Sequence, residues 1–238
     1  LAALQWGNHM PKKPRIDKGG LVYHVCNRAN LRARILFETA DYRTLERAMV
    51  QAIHAVPIRI LSFCLMPNHW HFVVWTANDG DLAAFFGRLA LIHTQRWHAR
   101  QQTTGTGHLY QGRFRSFVIQ SNERLLDVCR YVERNALEAN LVTSAEGWRY
   151  GSAFHRQRRT KLAGWLWNEW PAPRPADWLG YVNEEANPSV RAVIRKCTQL
   201  GKPYGDEAWQ RERAREFGVE WRERGRPSHD GVQLLDRK

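Results

Sequence analysis

The stretch that decides the fold is residues 67–75, PNHWHFVVW. His69 and His71 flank one large apolar residue, and a β-rich run follows them. Side chains of a strand alternate between its two faces, so both histidines point the same way, with α-carbons about 6.6 Å apart. Two imidazoles at that spacing can bind one metal ion, while Trp70 packs on the opposite face. Taken alone, such a pair is more often two hydrogen-bonded histidines on a solvated face, so the rest of the chain must decide.

The chain is strongly basic. It has 238 residues, a formal net charge of +13 and a pI near 10.1, and 43% of its residues are hydrophobic. That composition suffices for one sizeable domain, alone or with an extension. Excess positive charge favours a polyanion, because neutralising phosphates releases condensed counterions. No apolar run approaches the roughly 20 residues of a membrane span. We therefore expect nucleic acid, rather than an acidic membrane, as the partner.

The cysteines indicate a reducing compartment. They are far apart, without a Cys-x-x-Cys pair, and each has apolar neighbours, which favours reduced core thiols over a zinc knuckle or disulfides: Cys26, Cys64, Cys129 and Cys197. We see no signal peptide and expect a cytoplasmic protein. The sequence from Met10 reads as the start of a domain, so residues 1–9 are expected to lie outside it.

The order of predicted elements specifies the fold class. Apolar periodicity and turn signals predict strand, helix, strand, strand, helix, strand. This is the split βαβ order of ferredoxin-like α+β domains, an antiparallel sheet with both helices on one face. A third helix follows the last strand. The predicted strands cover residues 21–27, 58–65, 69–75 and 113–120, and the helices residues 41–56, 82–100 and 123–140.

The remainder of the chain is expected to be an extension of this domain. We place the domain at residues 10–155 and a basic, mostly helical extension at residues 156–238. Helices are predicted near 188–200 and 206–217, followed by a disordered tail.

The third predicted helix carries Tyr131 and Asn135, four residues apart. Positions i and i+4 share one helix face, so a phenol and a carboxamide project together. Tyrosine can act as a covalent nucleophile, and an amide oxygen is a suitable ligand for a divalent metal. The simpler interpretation is that Tyr131 packs under the helix and Asn135 lies at its frayed end.

Several motifs, taken together, resemble those of a known family. They are MPNHWH at 66–71, LYQGRF at 109–114 and RYVERN at 130–135, followed by ANLV at 139–142 and WRYGS at 148–152. This combination resembles the single-tyrosine HUH transposases of the insertion-sequence type, and most closely their REP-associated branch. The resemblance covers about residues 15 to 155. It implies that His69 and His71 are the metal-binding histidine pair, Tyr131 the catalytic tyrosine, and Asn135 the third metal ligand. The family often has proline after the Asn, where this chain has Ala136.

The resemblance also implies an activity. The expected protein is a metal-dependent endonuclease and strand transferase that acts on single-stranded, hairpin-forming DNA through a 5′-phosphotyrosine intermediate. The cofactor is a divalent ion, Mg²⁺ or Mn²⁺, and two imidazoles suit Mn²⁺ better. Relatives work as monomers or as homodimers, and both states stay open for this chain.

Basic residues outside the motifs are candidates for DNA contact. An amino-terminal arm and a carboxy-terminal RGRP sequence like the core of an AT-hook could clamp a hairpin, although a plain solvated tail fits the second equally well. The candidates are Lys12, Lys13, Arg15, Arg113, Arg115, Arg224 and Arg226.

Three other functions fit parts of this pattern. The first is a DNA-binding regulator that holds palindromic repeats without cutting them. The second is a replication initiator or relaxase, whose longer chains often carry further histidines or a second tyrosine. The third is a cupin-like oxygenase, which the three predicted helices disfavour because cupins are all-β.

Overall fold

The computed structural model describes residues 16–185 and 187–218. The candidate DNA contacts Lys12, Lys13, Arg15, Arg224 and Arg226 lie outside these ranges, as does the predicted disordered tail.

Four antiparallel strands form one sheet. They are β1 (Val22–Arg28), β2 (Arg59–Met66), β3 (His69–Trp75) and β4 (Arg115–Ile119), in the spatial order β2-β3-β1-β4. With one helix between β1 and β2 and another between β3 and β4, this order confirms the ferredoxin-like prediction. The predicted bounds of β3 are confirmed, and those of the other strands differ from the prediction by one or two residues at the ends.

Two long helices cover one face of the sheet. They are α1 (Thr39–Ala55) and α2 (Asp81–Gln101). The strand residues that alternate toward them are apolar and fully buried, among them Tyr23, Trp70 and Phe72. Trp70 stacks on Phe86 and donates its indole N–H to the Tyr110 hydroxyl at 2.9 Å. The face of β3 that carries Trp70 and Phe72 therefore packs in the core, and the histidines lie on the opposite face.

The opposite face is covered by the third helix and by the extension. The predicted single helix over 123–140 is instead two helices, α3 (Glu123–Glu133) and α4 (Asn135–Glu138), interrupted at Arg134. The Arg134 guanidinium is buried, and Nη1 donates to three backbone carbonyls, of Val182, Asn183 and Glu184. The interruption thus coincides with a contact to a segment almost fifty residues later, which helical periodicity cannot reveal.

The extension packs on the same face as α3. Helix α5 (Ser152–Gln157) leads into it, and its own helices are α6 (Trp178–Asn183), α7 (Pro188–Leu200) and α8 (Glu207–Glu216). Short 3₁₀ helices occur at Asn30–Arg32, Ala145–Gly147 and Lys161–Trp165. Tyr204 exchanges backbone hydrogen bonds with Val118 and Gln120, so the extension pairs with the edge of β4. The division at 155/156 remains a prediction, and α5 crosses it.

A buried ion pair holds α3 against the sheet and the extension. The Glu133 side chain is fully buried and accepts hydrogen bonds from Arg156 at 3.0 Å, Ser152 at 2.5 Å and the indole of Trp178 at 2.8 Å. Arg156 in turn donates to the carbonyl of Leu61 in β2. One carboxylate therefore connects α3 to β2, α5 and α6.

None of the described helices is both long enough and apolar enough to cross a lipid bilayer.

Removing the Glu133 carboxylate should strongly destabilise the fold. Glu133→Ala leaves the Arg156 charge and the Trp178 N–H buried without their partner, which typically costs about 3–5 kcal/mol. The free energy of unfolding, from urea titration followed by circular dichroism, measures the loss. Glu123→Ala is the matched control: Glu123 is exposed in the first turn of α3, and its removal should cost about 1 kcal/mol or less. Equal losses for the two variants would contradict the role assigned to the ion pair.

Candidate active site

The two histidines of β3 face α3. His69 and His71 alternate with Trp70 and Phe72, which belong to the core under α1 and α2. His71 is buried and lies opposite Cys26 of β1 and Cys64 of β2 in the strand pairing. The ring centroids of His69 and His71 are 5.0 Å apart. The predicted placement of both rings on one sheet face is thus present in the structure.

One nitrogen of each ring is already hydrogen-bonded. His69 Nδ1 lies 2.6 Å from Asn68 Oδ1, and His71 Nδ1 lies 2.9 Å from His24 Nε2. An amide oxygen only accepts, so Nδ1 of His69 carries the proton and its Nε2 carries the lone pair. When Nδ1 of His71 carries the proton and donates it to His24, Nε2 of His71 likewise has a lone pair that can bind a metal. Metal-binding histidines commonly have this outer-shell arrangement, which fixes the tautomer and the ring orientation.

Burial keeps both rings neutral. Desolvation lowers the pKa of His69 to about 4, and it lowers that of His71 well below the ordinary value, with the neighbouring His69 and His24 acting in the same direction. Neutral imidazole is the form that binds a metal. At neutral pH both rings are therefore in the form that can bind a cation.

The phenol of Tyr131 lies against the histidines of its own chain. Its ring centroid is 5.8 Å from that of His71 and 6.2 Å from that of His24, both in edge-on geometry. Tyr131 is in α3, where Val128, Cys129 and Val132 are fully buried against the sheet. Packing of these apolar residues orients the helix so that Tyr131, on the adjoining side, meets the rings of β1 and β3.

The environment of Tyr131 opposes its ionisation. Burial raises the pKa of the phenol, and the nearby Arg195 guanidinium of α7 partly offsets that effect. Arg28 at the end of β1 acts in the same direction as Arg195. The phenol is therefore protonated at neutral pH, and its use as a nucleophile requires further help.

Asn135 lies one turn after Tyr131 and is partly buried. Its Nδ2 donates to the backbone carbonyl of Tyr131 at 2.8 Å. That bond turns the amide nitrogen toward its own helix and leaves Oδ1 as the atom that could bind a cation. Among the hydrogen bonds of residues 16–185 and 187–218, none joins Asn135 to His69 or His71. Its assignment as a third ligand stays a prediction.

Arginines border the site. Arg115 begins β4 directly opposite Cys26, and Arg113 is exposed in the preceding loop. Arg28 is exposed at the end of β1, opposite His69. These three cations lie at the end of the sheet where the histidines are.

Two residues near the site were not foreseen from the sequence. His24 fixes the His71 ring, and Arg28 faces His69 across the strand pairing. The alternation in LVYHVCN does place His24 on one face with Val22 and Cys26. It does not reveal that β1 pairs with β3 or in which register, and the contact depends on both.

The residues present fit a divalent cation. His69 and His71 offer two imidazole nitrogens with outer-shell partners, and with the predicted ligand Oδ1 of Asn135 they would form a mixed nitrogen and oxygen donor set. That set suits Mn²⁺ and other transition ions, and it tolerates Mg²⁺ less well because Mg²⁺ prefers oxygen ligands.

The buried histidines should make the metal-free protein less stable in mild acid. Burial lowers the pKa of His24 to about 3 and that of His69 to about 4, from 6.5. Between these values and pH 6.5 the unfolded chain binds more protons, so the free energy of unfolding falls as the pH falls. Each ring contributes up to about 1.4 kcal/mol per pH unit. Urea titrations in EDTA between about pH 7 and pH 4.5 measure the slope.

His24→Phe removes one such ring while keeping a planar apolar side chain. The free energy of unfolding of this variant should depend less steeply on pH than that of the wild type, by the contribution of about one proton. His108→Gln, in an exposed loop, is the control for the loss of a histidine that is not buried. Parallel pH profiles for wild type and His24→Phe would refute this account of the buried ring.

Comparisons with known proteins agree with this architecture. Residues 18–135 match the family model described as "Transposase IS200 like". Ten chains of solved structures match. One, described as "Structure of the REP associates tyrosine transposase bound to a REP hairpin", is 23% identical with a TM-score of 0.51, over 70% of this chain and 96% of that chain.

A second solved structure, a putative transposase from Deinococcus radiodurans R1, is 16% identical with a TM-score of 0.37, over 52% of this chain and 96% of that one. No curated protein matches the chain. The first structural likeness supports the fold, and the family model covers β1 to β4 and α3 with both histidines and Tyr131. The chain therefore contains an IS200-like transposase domain, over residues 18–135.

Proposed function

We propose that this protein is a metal-dependent endonuclease and strand transferase for single-stranded, hairpin-forming DNA, acting through a 5′-phosphotyrosine intermediate. One observation carries the proposal: the Tyr131 ring lies edge-on to His71, 5.8 Å between centroids, within a single chain. This contact would let Tyr131 act beside the proposed metal-binding pair without a contribution from another subunit.

His69 and His71, through Nε2, and Asn135, through Oδ1, are the residues that would hold the divalent ion. When bound, Mg²⁺ or Mn²⁺ supplies positive charge that polarises a phosphodiester and stabilises an ionised phenol. The chain itself contributes the orientation of the two rings, through Asn68 and His24. It also contributes a largely buried phenol whose ionisation depends on positive charge placed nearby.

Tyr131 performs the proposed chemical step. Its Oη loses a proton and attacks phosphorus, the new Oη–P bond forms, and the P–O3′ bond breaks. The departing 3′ oxygen takes up a proton. The phosphodiester bond energy is kept in the phosphotyrosine, so a second 3′-hydroxyl can reverse the step and join strands without ATP. One catalytic tyrosine per chain processes one strand at a time, which favours a single-stranded substrate.

Charge and structural likeness support the choice of substrate. The chain carries a net charge of +13, and Arg28, Arg113 and Arg115 lie at the site's end of the sheet, where they can neutralise backbone phosphates. The similar solved structure is of a REP-associated tyrosine transposase bound to a REP hairpin. We propose that this chain belongs to the same branch and that its substrate is a REP-like hairpin. The basic arm at Lys12, Lys13 and Arg15 and the tail with Arg224 and Arg226 are proposed to contact the hairpin.

The phenol of Tyr131 should be essential for covalent capture of DNA. Tyr131→Phe removes the nucleophilic oxygen and keeps the ring, so no adduct should form while DNA binding persists. The measurement is incubation of a 3′-labelled hairpin oligonucleotide with protein and Mn²⁺, resolved on a denaturing gel. Label should migrate with the wild-type protein, because the 5′ phosphate of the released 3′ fragment is the one attached.

Tyr150→Phe is the matched control. The Tyr150 hydroxyl is hydrogen-bonded to that of Thr39, the first residue of α1, away from the histidines. The Tyr150→Phe variant should therefore retain the adduct. A wild-type protein that binds hairpins but forms no adduct with either metal would favour the alternative function, a regulator that binds repeats without cutting.

The histidine pair should determine metal affinity. His71→Ala removes one ligand nitrogen, so Mn²⁺ binding followed by isothermal titration calorimetry should weaken by at least about 10–100-fold, the usual cost of perturbing even an outer-shell partner. His93→Gln is the control, because His93 is buried on the other side of the sheet beside Tyr110. Equal Mn²⁺ affinities for the wild type and His71→Ala would remove His71 from the site.

A further inference from the structure

Strand β1 presents two more metal-ligand side chains beside His71. Cys26 lies directly opposite His71 in the β1–β3 pairing, and His24 is two residues earlier on the same face. One ligand atom from each of His24, Cys26 and His71 lies within 4.8 Å of the others. This group shares His71 with the proposed nuclease site, but it omits His69 and Asn135.

The spacing fits a small tetrahedral ion. Zinc binds imidazole nitrogen at about 2.0–2.1 Å and thiolate sulfur at about 2.3 Å, so its ligand atoms lie roughly 3.3–3.6 Å apart. His24 Nε2 and His71 Nδ1 are 2.9 Å apart, so they need to separate by only a few tenths of an ångström. When Nε2 of His24 binds the ion, the ring proton is on Nδ1, which is buried and has no hydrogen-bond partner in the described part of the chain.

We propose that His24, Cys26 and His71 form a second site, for a soft divalent ion such as Zn²⁺, and that filling it disables the nuclease. The inhibitory part of this proposal rests on the proposed function. A thiolate with two imidazoles selects zinc or cobalt over Mg²⁺, whereas the nuclease set of two imidazoles and an amide oxygen has no sulfur. Three protein ligands leave the fourth position for water.

The two sites exclude each other through His71. A neutral imidazole has one lone pair, since its other nitrogen carries the proton. A His71 ring bound to zinc therefore cannot also bind the nuclease ion. Cys26 is the partly exposed member of the group, whereas both histidines are buried, so it offers the entry point for the ion.

Nearby charges act in both directions. Arg115 pairs with Cys26 across the sheet, and Arg28 lies two residues further along β1. Burial raises the pKa of the Cys26 thiol to about 12, and both guanidinium groups offset only part of that rise while they disfavour a divalent cation. Binding of the ion therefore has to displace the thiol proton. The bound thiolate cancels one of the ion's two charges, which limits the repulsion.

Cobalt spectroscopy tests the site without reference to activity. Co²⁺ bound to a thiolate gives a ligand-to-metal charge-transfer band in the near ultraviolet. The full-length wild type, freed of metal with EDTA and titrated with Co²⁺, should show this band. Cys26→Ala and Cys26→Ser should lack it. Cys197→Ala is the matched control, because Cys197 is buried in α7, and it should retain the band.

Competition tests the link to the nuclease. With Mn²⁺ present, added Zn²⁺ should suppress adduct formation by the wild type. Suppression of Cys26→Ala should need at least about tenfold more zinc, since losing a direct ligand should cost no less than losing an outer-shell partner. Cys26→Ala keeps His69, His71, Asn135 and Tyr131, so its adduct formation without zinc should match that of the wild type.

The outcomes separate the two proposals. No cobalt band in the wild type, or a band that persists in both Cys26 variants, would overturn the second site. Equal zinc sensitivity of wild type and Cys26→Ala would overturn its control of the nuclease. If the wild type forms no adduct even without zinc, the proposed nuclease fails, and the cobalt spectra still decide whether the site exists.

Discussion

The ion pair between Glu133 and Arg156 is the constraint on which the site depends. A carboxylate with no exposure to solvent is stable only when its charge and lone pairs are matched, and Arg156, Ser152 and Trp178 provide that match. The desolvation of the carboxylate is thus offset only when α3, α5 and α6 adopt one arrangement on β2. Tyr131 is two residues from Glu133, so this arrangement also fixes the phenol over the histidines.

The extension is consequently part of the machinery around the site. It supplies Arg156 and Trp178 to the buried carboxylate, and Arg195 to the surroundings of Tyr131. It also adds backbone hydrogen bonds to the free edge of β4 through Tyr204. A ferredoxin-like sheet has two faces, and α1 and α2 cover only one of them. Helix α3, which carries Tyr131, and the extension cover the other face and so shield the histidines from solvent.

Burial sets the chemistry of the site in a consistent way. It lowers the pKa of His69 and His71, which favours the neutral rings that a cation binds, and it raises the pKa of Tyr131, which keeps the phenol protonated until positive charge is near. The same desolvation thus acts on the proposed metal-binding pair and on the proposed nucleophile. The proposed dependence of the nuclease on a divalent ion agrees with both effects.

The sequence by itself determined the order of elements, the shared face of His69 and His71, and the one-turn spacing of Tyr131 and Asn135, because strand and helix periods are local properties. Tertiary structure alone decided that His24 fixes His71, that Cys26 lies opposite it, and that the helix predicted over 123–140 is interrupted at Arg134. Each of these contacts joins segments more than forty residues apart. Their geometry follows from strand register and from the docking of α3, and no local pattern encodes either.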